Sequence, residues 1–284
     1  MTPTLVRQHR PHTGTAPRVN LRARARDWSE IQERMLVPLY EAVYERLEVG
    51  PATRLLGLGC GSGLALLMAT SRGAAVTGVD TSAERLDLAR QRLQPEAWDT
   101  RTRARARLVD GSPGAADGTD APAYTLVTAF EPIGCLAGDA EGLGELLTEA
   151  TPLAERGAPV VLAGWGPPER CATASVLRVA SKLTEPVRGT AGWRVALRDD
   201  LEEVAQRAGL RPDGSGRVAC PFGYADVDSA VRGLRSTGLF DAAITATDQV
   251  QVDKELAEAL HPYQRRDGTV WMPNVFRYLI ARTP

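Results

Sequence analysis

The chain has 284 residues, of which 43% are hydrophobic and 24% charged, and its formal net charge at pH 7 is −1. The composition is ordinary for a globular protein, and the nearly balanced charge argues against nucleic acid as a partner. Because no run of about 18 apolar residues occurs, no membrane span is expected. The cysteines Cys60, Cys135, Cys171 and Cys220 lack metal-ligand spacing, so we expect buried thiols in a cytoplasmic protein and no metal site.

The N-terminal residues 1–22 contain several arginines and no acidic residue, and they lack the apolar core of a secretory signal. We expect them to form a disordered or loosely attached basic tail. Apolar residues then recur at helical spacing from Asp27 to Leu47, and Pro38 is expected to kink or divide this helix. Residues 23–50 are therefore predicted to form N-terminal helices.

Strands and helices alternate over residues 51–165. The predicted strands are Arg54–Gly59, Ala75–Asp80, Ala106–Val109, Tyr124–Phe130 and Ala158–Gly164, and the predicted helices are Ser62–Arg72, Ser82–Leu93 and Gly142–Glu155. Such alternation predicts an α/β fold with a parallel sheet covered by helices on both faces.

The pattern changes over residues 166–284. Helices are predicted at Cys171–Leu183, Asp199–Ala208, Val227–Thr237 and Thr247–Leu260, strands at Arg217–Tyr224 and within Thr269–Arg282, and a loop at Glu185–Gly192. The long separation of the last two strands predicts a helical lid at about residues 225–265. We therefore expect one domain over residues 23–284, with a cofactor-binding half at 51–165 and a substrate-side half at 166–284.

Glycines occupy positions 57, 59, 61 and 63, over the end of the first predicted strand and the turn that follows it. The second predicted strand ends at Asp80, close to the spacing of about 20 residues at which an acid meets a nucleoside ribose. Glycines let the backbone approach a ligand, and the acid accepts hydrogen bonds from ribose hydroxyls. The dinucleotide fingerprint G-x-G-x-x-G does not fit, because its third glycine would fall on Ser62 or Leu64.

The glycine spacing from Gly59 to Gly63, together with Asp80, resembles motif I and the ribose-binding acid of the class I S-adenosylmethionine-dependent methyltransferases. Val109-Asp110-Gly111-Ser112 is similar to the segment that the family places near the adenine, and Tyr124–Phe130 to its fourth strand. The resemblance is good over about residues 50–165. It implies S-adenosylmethionine as cofactor and a Rossmann-like, seven-stranded sheet that is parallel except for an antiparallel last strand. The insert before that strand resembles the small-molecule branch that includes the quinone-biosynthesis methyltransferases.

The resemblance also implies a set of cofactor contacts. They are Gly57, Gly59, Cys60, Gly61, Asp80, Thr81, Asp110, Gly111, Ser112, Phe130 and Glu131. One position departs from the family, which usually carries an acid where this chain has Gly57. That acid helps to hold the ammonium group of the cofactor, and Glu131, just past the fourth strand, is the candidate substitute.

Two residues are candidate bases. Glu131 lies at the mouth of the fourth strand, where open α/β sheets bind ligands; it could contact the ammonium group, accept a proton or be a solvated acid. His261 ends a predicted helix, and it could act as a base or simply match the helix dipole at the surface. Five residues are candidates for lining the substrate pocket: Trp28, Gln32, Trp165, Tyr224 and Tyr263. The alternative for each of them is a purely structural role in the core.

The sequence therefore predicts a cytoplasmic methyltransferase that acts on a small molecule, for which a specialised metabolite is one candidate, and that is a monomer or homodimer. Two alternatives remain. Gly57 motivates a methyltransferase fold that does not methylate, such as a cofactor-assisted cyclase or isomerase. A non-catalytic binding subunit is the other. Ala163-Gly164-Trp165 lacks the ligands of metal-dependent catechol-type enzymes, and Phe130-Glu131-Pro132-Ile133 lacks the signature of adenine or amide methylation.

Overall fold

A computed structural model of the chain describes residues 20–94, 105–116, 122–135, 138–184 and 200–284. Most of the predicted basic tail and the whole predicted loop at 185–192 lie outside these ranges. The tail boundary at residue 22 is too late, because Asn20 caps a helix that begins at Leu21, and its side chain accepts a hydrogen bond from the backbone N–H of Ala23 at 3.1 Å.

Seven strands form the main sheet in the order β3-β2-β1-β4-β5-β9-β6. They are β1 Arg54–Leu58, β2 Ala75–Asp80, β3 Ala106–Asp110, β4 Leu126–Ile133, β5 Pro159–Trp165, β6 Arg211–Ala219 and β9 Val275–Arg282. Strands β1 to β5 pair in parallel, and β9 is antiparallel to both of its neighbours. The expected Rossmann-like, seven-stranded methyltransferase sheet is thus confirmed.

Helices cover both faces of this sheet. They are α1 Leu21–Asp27, α2 Val37–Arg46, α3 Leu64–Ser71, α4 Ala83–Leu93, α5 Asp139–Ala150, α6 Thr173–Thr184, α7 Asp200–Arg207, α8 Val227–Ser236, α9 Asp241–Ala246 and α10 Gln249–Leu260. Neighbouring residues of β1 point to opposite faces, so Leu55 belongs to one apolar core and Leu56 to the other. The sequence of a strand that is buried on both faces is typically a continuous run of apolar residues. Among the helices described, none is long and apolar enough to cross a bilayer.

The N-terminal segment between α1 and α2 is not a regular helix. A π-helical turn spans Trp28–Gln32, and a 3-10 turn spans Glu33–Leu36. The helix expected over Asp27–Leu47 is thus divided, and its regular part α2 begins at Val37, next to Pro38, but the π-helical and 3-10 turns before it were not predicted. Pro38 lies in the first turn of α2, where its missing N–H costs nothing, and the irregularity comes earlier. π-helical turns are frequent at functional sites.

The sixth strand also differs from its prediction. It begins at Arg211 and ends at Ala219, before Pro221, which has no N–H to donate to a ladder. Residues Phe222–Tyr224 instead form β7, which pairs with β8, Val270–Met272, in a separate two-stranded sheet. The early part of β6 was missed because Pro212 and the following glycines are typical of a turn. The structure accommodates them with a shift of register between Pro212 and Gly214.

The helices between β7 and β8 pack against the N-terminal segment. α8 contacts α1 and the π-helical turn, and α10 packs on α6 and α8. Two ion pairs connect the regions: Arg24 Nη1 lies 2.8 Å from Asp241 Oδ2, and Arg232 Nη2 lies 3.0 Å from Asp27 Oδ1. Residues 21–36 and 227–260 thus form one layer, which we call the helical cover.

Candidate active site

The glycine-rich loop turns sharply at the carboxyl end of β1. Gly59, Gly61 and Gly63 have φ angles of +58°, +57° and +81°, in the left-handed region that favours glycine. The loop is anchored to the end of β2, because Cys60 N donates to the carbonyl of Val79 at 3.0 Å. The turn therefore presents backbone rather than side chain to the cleft above it.

Asp80 is the last residue of β2, and it holds the same loop. Its Oδ2 accepts a hydrogen bond from Gly61 N at 2.8 Å, and its Oδ1 accepts one from Ser82 N at 2.8 Å. A carboxylate has about four lone-pair directions, so Asp80 can still accept two hydroxyl donors. In the parallel register Asp80 lies beside Asp110, and Gly111 N donates to the Asp80 carbonyl at 3.1 Å. Thr81, Asp110 and Ser112 are exposed next to it.

A narrow cleft lies between the carboxyl ends of β1 and β4 and the helical cover. Its lining consists of Trp28, Glu33, Leu36, Tyr40, Gly57, Leu58, Gly59, Cys60, Gly61, Ala65, Leu66, Arg85, Thr128, Phe130 and Glu131. The cavity measures about 20 Å³, which is room for about one or two water molecules. Of the residues predicted for the site, the cleft thus gathers Trp28, Gly57, Gly59, Cys60, Gly61, Phe130 and Glu131.

Gly57 has a packing reason for lacking a side chain. A Cβ added there would lie 2.9 Å from Cδ2 of Leu66 in α3, closer than real contacts allow. An acid of the kind the family usually carries at this position does not fit unless Leu66 moves. Cys60, which follows in the loop, stays a neutral thiol because burial raises its pKa well above the ordinary value.

Glu131 supplies a carboxylate to the same part of the cleft. Its Oε2 lies 3.4 Å from the position that a Cβ on Gly59 would take. The residue is exposed, and its carboxylate lies among the protein atoms that line the cleft. Desolvation therefore raises the pKa of Glu131, while the nearby Arg85 acts in the opposite direction. Among the described residues the carboxylate of Glu131 makes no hydrogen bond or ion pair.

Glu33 connects the N-terminal segment to the loop. It is buried, and it accepts hydrogen bonds from the hydroxyl of Ser62 and, at 3.3 Å, from Leu64 N at the start of α3. Arg92 of α4 completes the ion pair at 2.7 Å. The sequence analysis missed Glu33. The signal was an acid on the apolar helical face that it shares with Leu36 and Tyr40, where burial requires a partner.

Trp28 and Arg85 face each other across the cleft. The guanidinium of Arg85 lies 4.6 Å from the ring centroid of Trp28, a distance typical of a cation–π contact. Trp28 is 8% exposed, and its Nε1 has no hydrogen-bond partner among the described residues. Arg85 was also missed, although it lies in the first turn of the helix that follows Asp80.

The remaining predicted substrate residues lie outside the lining of this cleft. The hydroxyl of Tyr224 donates to Gln32 Oε1 at 2.9 Å, and both side chains are buried. Trp165 packs on Phe276 with ring centroids 4.5 Å apart. Tyr263 shares a 2.8 Å hydrogen bond with Ser175. These contacts are structural ones in the substrate-side half and the helical cover.

His261, the second candidate base, is exposed in the 3-10 turn after α10, and the cleft lining does not include it. Metal ligands are also lacking in the part of the chain that the structure describes, where no group of three His, Cys, Asp or Glu side chains could hold an ion.

Comparison with known proteins agrees with this geometry. Residues 55–142 match the family model described as a methyltransferase domain. The match starts in β1, includes the glycine-rich loop, Asp80 and Glu131, and ends in α5. Among curated proteins, none matches this chain in sequence.

Solved structures share the fold. YjhP from E. coli is 18% identical with a TM-score of 0.53, and the alignment covers 92% of this chain and 99% of that one. Geranyl diphosphate C-methyltransferase from Streptomyces coelicolor is 18% identical with a TM-score of 0.50, over 89% and 80% of the two chains. The [4+2]-cyclase SpnF is 16% identical with a TM-score of 0.50, over 87% and 80%.

The sheet order, the glycine-rich loop and the family match define the class. Residues 55–142 match a methyltransferase domain, and the chain has the fold of the class I S-adenosylmethionine-dependent methyltransferases. S-adenosylmethionine, the cofactor expected from the sequence, is the cofactor that this family uses.

Proposed function

We propose that this protein is an S-adenosylmethionine-dependent methyltransferase acting on a small-molecule acceptor. The observation that carries the proposal is Asp80, which ends β2, holds the glycine-rich loop and keeps two lone-pair directions for ribose hydroxyls. This arrangement lies within the segment that matches the methyltransferase domain. A cytoplasmic location and a monomeric or homodimeric state belong to the same proposal.

The residues present fit the cofactor. Asp80 would hold the ribose, Asp110 and Gly111 the adenine, and the backbone of Gly59 and Gly61 would approach the chain between ribose and sulfur. Glu131 would hold the ammonium group in place of the acid that position 57 lacks, because its carboxylate is otherwise unpaired among the described residues and lies against Gly59. S-adenosylmethionine, when bound, supplies a methyl group activated by a positively charged sulfur.

The protein's own contribution is then to position the acceptor and exclude water. Trp28, Leu36 and Tyr40 of the N-terminal region, with Phe130 of β4, close the cleft with apolar surface. The cavity of about 20 Å³ is too small for the whole cofactor, so we expect the side chains that cover it to shift when the cofactor binds. Such gating is common in enzymes that exclude water from the reaction. The exposed His261 has no catalytic part in this proposal.

A calorimetric titration with S-adenosylmethionine and S-adenosylhomocysteine tests the proposal. We expect the wild-type protein to bind both, and Asp80→Ala to weaken binding about 100-fold or more, because the variant loses the ribose contact and the anchor of the loop. Asp80→Asn keeps the shape and should weaken binding less. Asp87→Ala, on the exposed face of α4, is the matched control. Absence of wild-type binding would contradict the proposal.

The alternative of a fold that does not methylate is motivated by Gly57. Product mass separates the two functions once an acceptor is found in a screen, because methylation adds one CH₂ and a cyclisation or isomerisation adds nothing. Turnover with unchanged mass would replace the proposed activity by the alternative and leave the cofactor assignments in place.

A further inference from the structure

Trp28 presents a buried hydrogen-bond donor to the cleft. Its side chain is 8% exposed, and Nε1 has no partner among the described residues. Nε1 lies 3.1 Å from the position that a Cβ on Gly61 would take, so the N–H group lies against the glycine-rich loop. An indole N–H can only donate, and a buried unpaired donor is destabilising. The natural partner is an acceptor on a ligand in the cleft.

Arg85 places a positive charge beside this donor. Its guanidinium lies over the Trp28 ring at 4.6 Å and lines the same cleft. Its backbone N–H donates to Ser82 Oγ at 3.3 Å, but within the described ranges of the chain its guanidinium makes no hydrogen bond or ion pair. Arg92, in the same helix, is by contrast paired with Glu33 at 2.7 Å. A free guanidinium next to an unpaired N–H is an arrangement suited to an anion.

The charged residues around the cleft indicate which kind of anionic ligand fits. The charge of Glu33 is balanced by Arg92, and Asp80 accepts two backbone N–H groups. Glu131 and Arg85 line the same cleft and are close enough to interact electrostatically, but they do not form an ion pair with one another. A zwitterion, with a carboxylate and an ammonium group a few bonds apart, would satisfy both.

We infer that Trp28 Nε1–H and Arg85 bind the carboxylate of the amino-acid end of S-adenosylmethionine. This inference rests on the proposed function and deepens it, because it names the residues that recognise the charged end of the cofactor. Trp28 belongs to the π-helical turn of the helical cover, so the cofactor would hold the cover in place through its carboxylate. Nucleosides without that carboxylate would bind without this contact.

Two ligands that differ only in the carboxylate make the test specific. We expect Trp28→Phe and Arg85→Gln each to weaken S-adenosylmethionine binding about tenfold or more in calorimetry, and decarboxylated S-adenosylmethionine by less than about twofold. The matched controls are Trp271→Phe and Arg90→Gln. Trp271 makes a similar contact with Arg265 at 4.7 Å outside the cleft, and Arg90 pairs with Asp87 on the surface. Both controls should bind both ligands like the wild type.

Two outcomes would overturn the inference while leaving the proposed function intact. One is an equal loss of affinity for both ligands, which would place the acceptor elsewhere on the cofactor. The other is unchanged affinity in both variants. If the wild type binds neither ligand, the proposed function itself fails. Thermal unfolding of each variant identifies a folding defect, and Arg85→Gln, in a partly exposed position, keeps the test decisive if Trp28→Phe does not fold.

Discussion

The glycine-rich loop and the helical cover border the same cleft but are stabilised in different ways. The loop is held through its own backbone N–H groups, which donate to the end of the neighbouring strand β2: Cys60 N to the Val79 carbonyl and Gly61 N to Asp80 Oδ2. The cover is held by side chains from distant segments, as in the pairs Arg24–Asp241 and Gln32–Tyr224. We therefore expect changes in the loop to alter ligand affinity, and changes in the cover to alter stability and opening.

Glu33 links the two regions, and removing its charge should have the largest effect on stability. We expect Glu33→Gln to lower the free energy of unfolding by about 2 kcal/mol, less than the roughly 3–5 kcal/mol for breaking a fully buried pair, because Arg92 is partly exposed. Urea denaturation measures this value. Glu30→Gln, an exposed change in the same segment, is the control. Equal unfolding midpoints for the two variants would show that the ion pair does not hold the cover to the loop.

The pH dependence of cofactor binding tests the role of Glu131 beside the loop. Because its pKa is raised by desolvation, the carboxyl group takes up a proton at a pH above its ordinary pKa of 4.5 and then loses its attraction for the ammonium group. Wild-type affinity for S-adenosylmethionine should therefore fall as the pH is lowered toward and through this raised pKa.

Glu131→Gln should bind about tenfold more weakly at neutral pH, with no such pH dependence. Calorimetry over a pH series measures both, and Glu141→Gln, exposed on α5, should behave like the wild type. A variant that keeps the wild-type pH profile would remove Glu131 from the ammonium site.

Tyr224 tests the cover alone and should have the smallest effect. Tyr224→Phe keeps the ring but leaves Gln32 Oε1 without its donor, which we expect to cost about 1 kcal/mol of stability with unchanged cofactor affinity. The control is Tyr124→Phe, whose hydroxyl makes no hydrogen bond within the described ranges. A clear loss of affinity in Tyr224→Phe would mean that the two regions are coupled more strongly than their contacts indicate.

The same contrast explains how much could be predicted from sequence. Strands β1 and β2, the loop and Asp80 follow from local patterns, because glycine spacing and strand length act over a few residues. Glu33 and Arg85 were missed, because their roles depend on partners brought together only by the fold. The start of β6 was missed because Pro212 and its neighbouring glycines predict a turn, and tertiary pairing with β9 overrides that preference.

The contact between Gly57 and Leu66 makes the two positions epistatic. A Cβ at position 57 would lie 2.9 Å from Leu66 Cδ2, so an acid can return to the loop only if the end of the Leu66 side chain shifts or residue 66 becomes smaller. Trimming Leu66 first would open a cavity in the core around β1, at a cost of roughly 2–5 kcal/mol for a buried leucine. The acid and the size of residue 66 are therefore expected to affect stability together rather than independently. The packing of Leu66 against the loop therefore restricts which residues position 57 can accept.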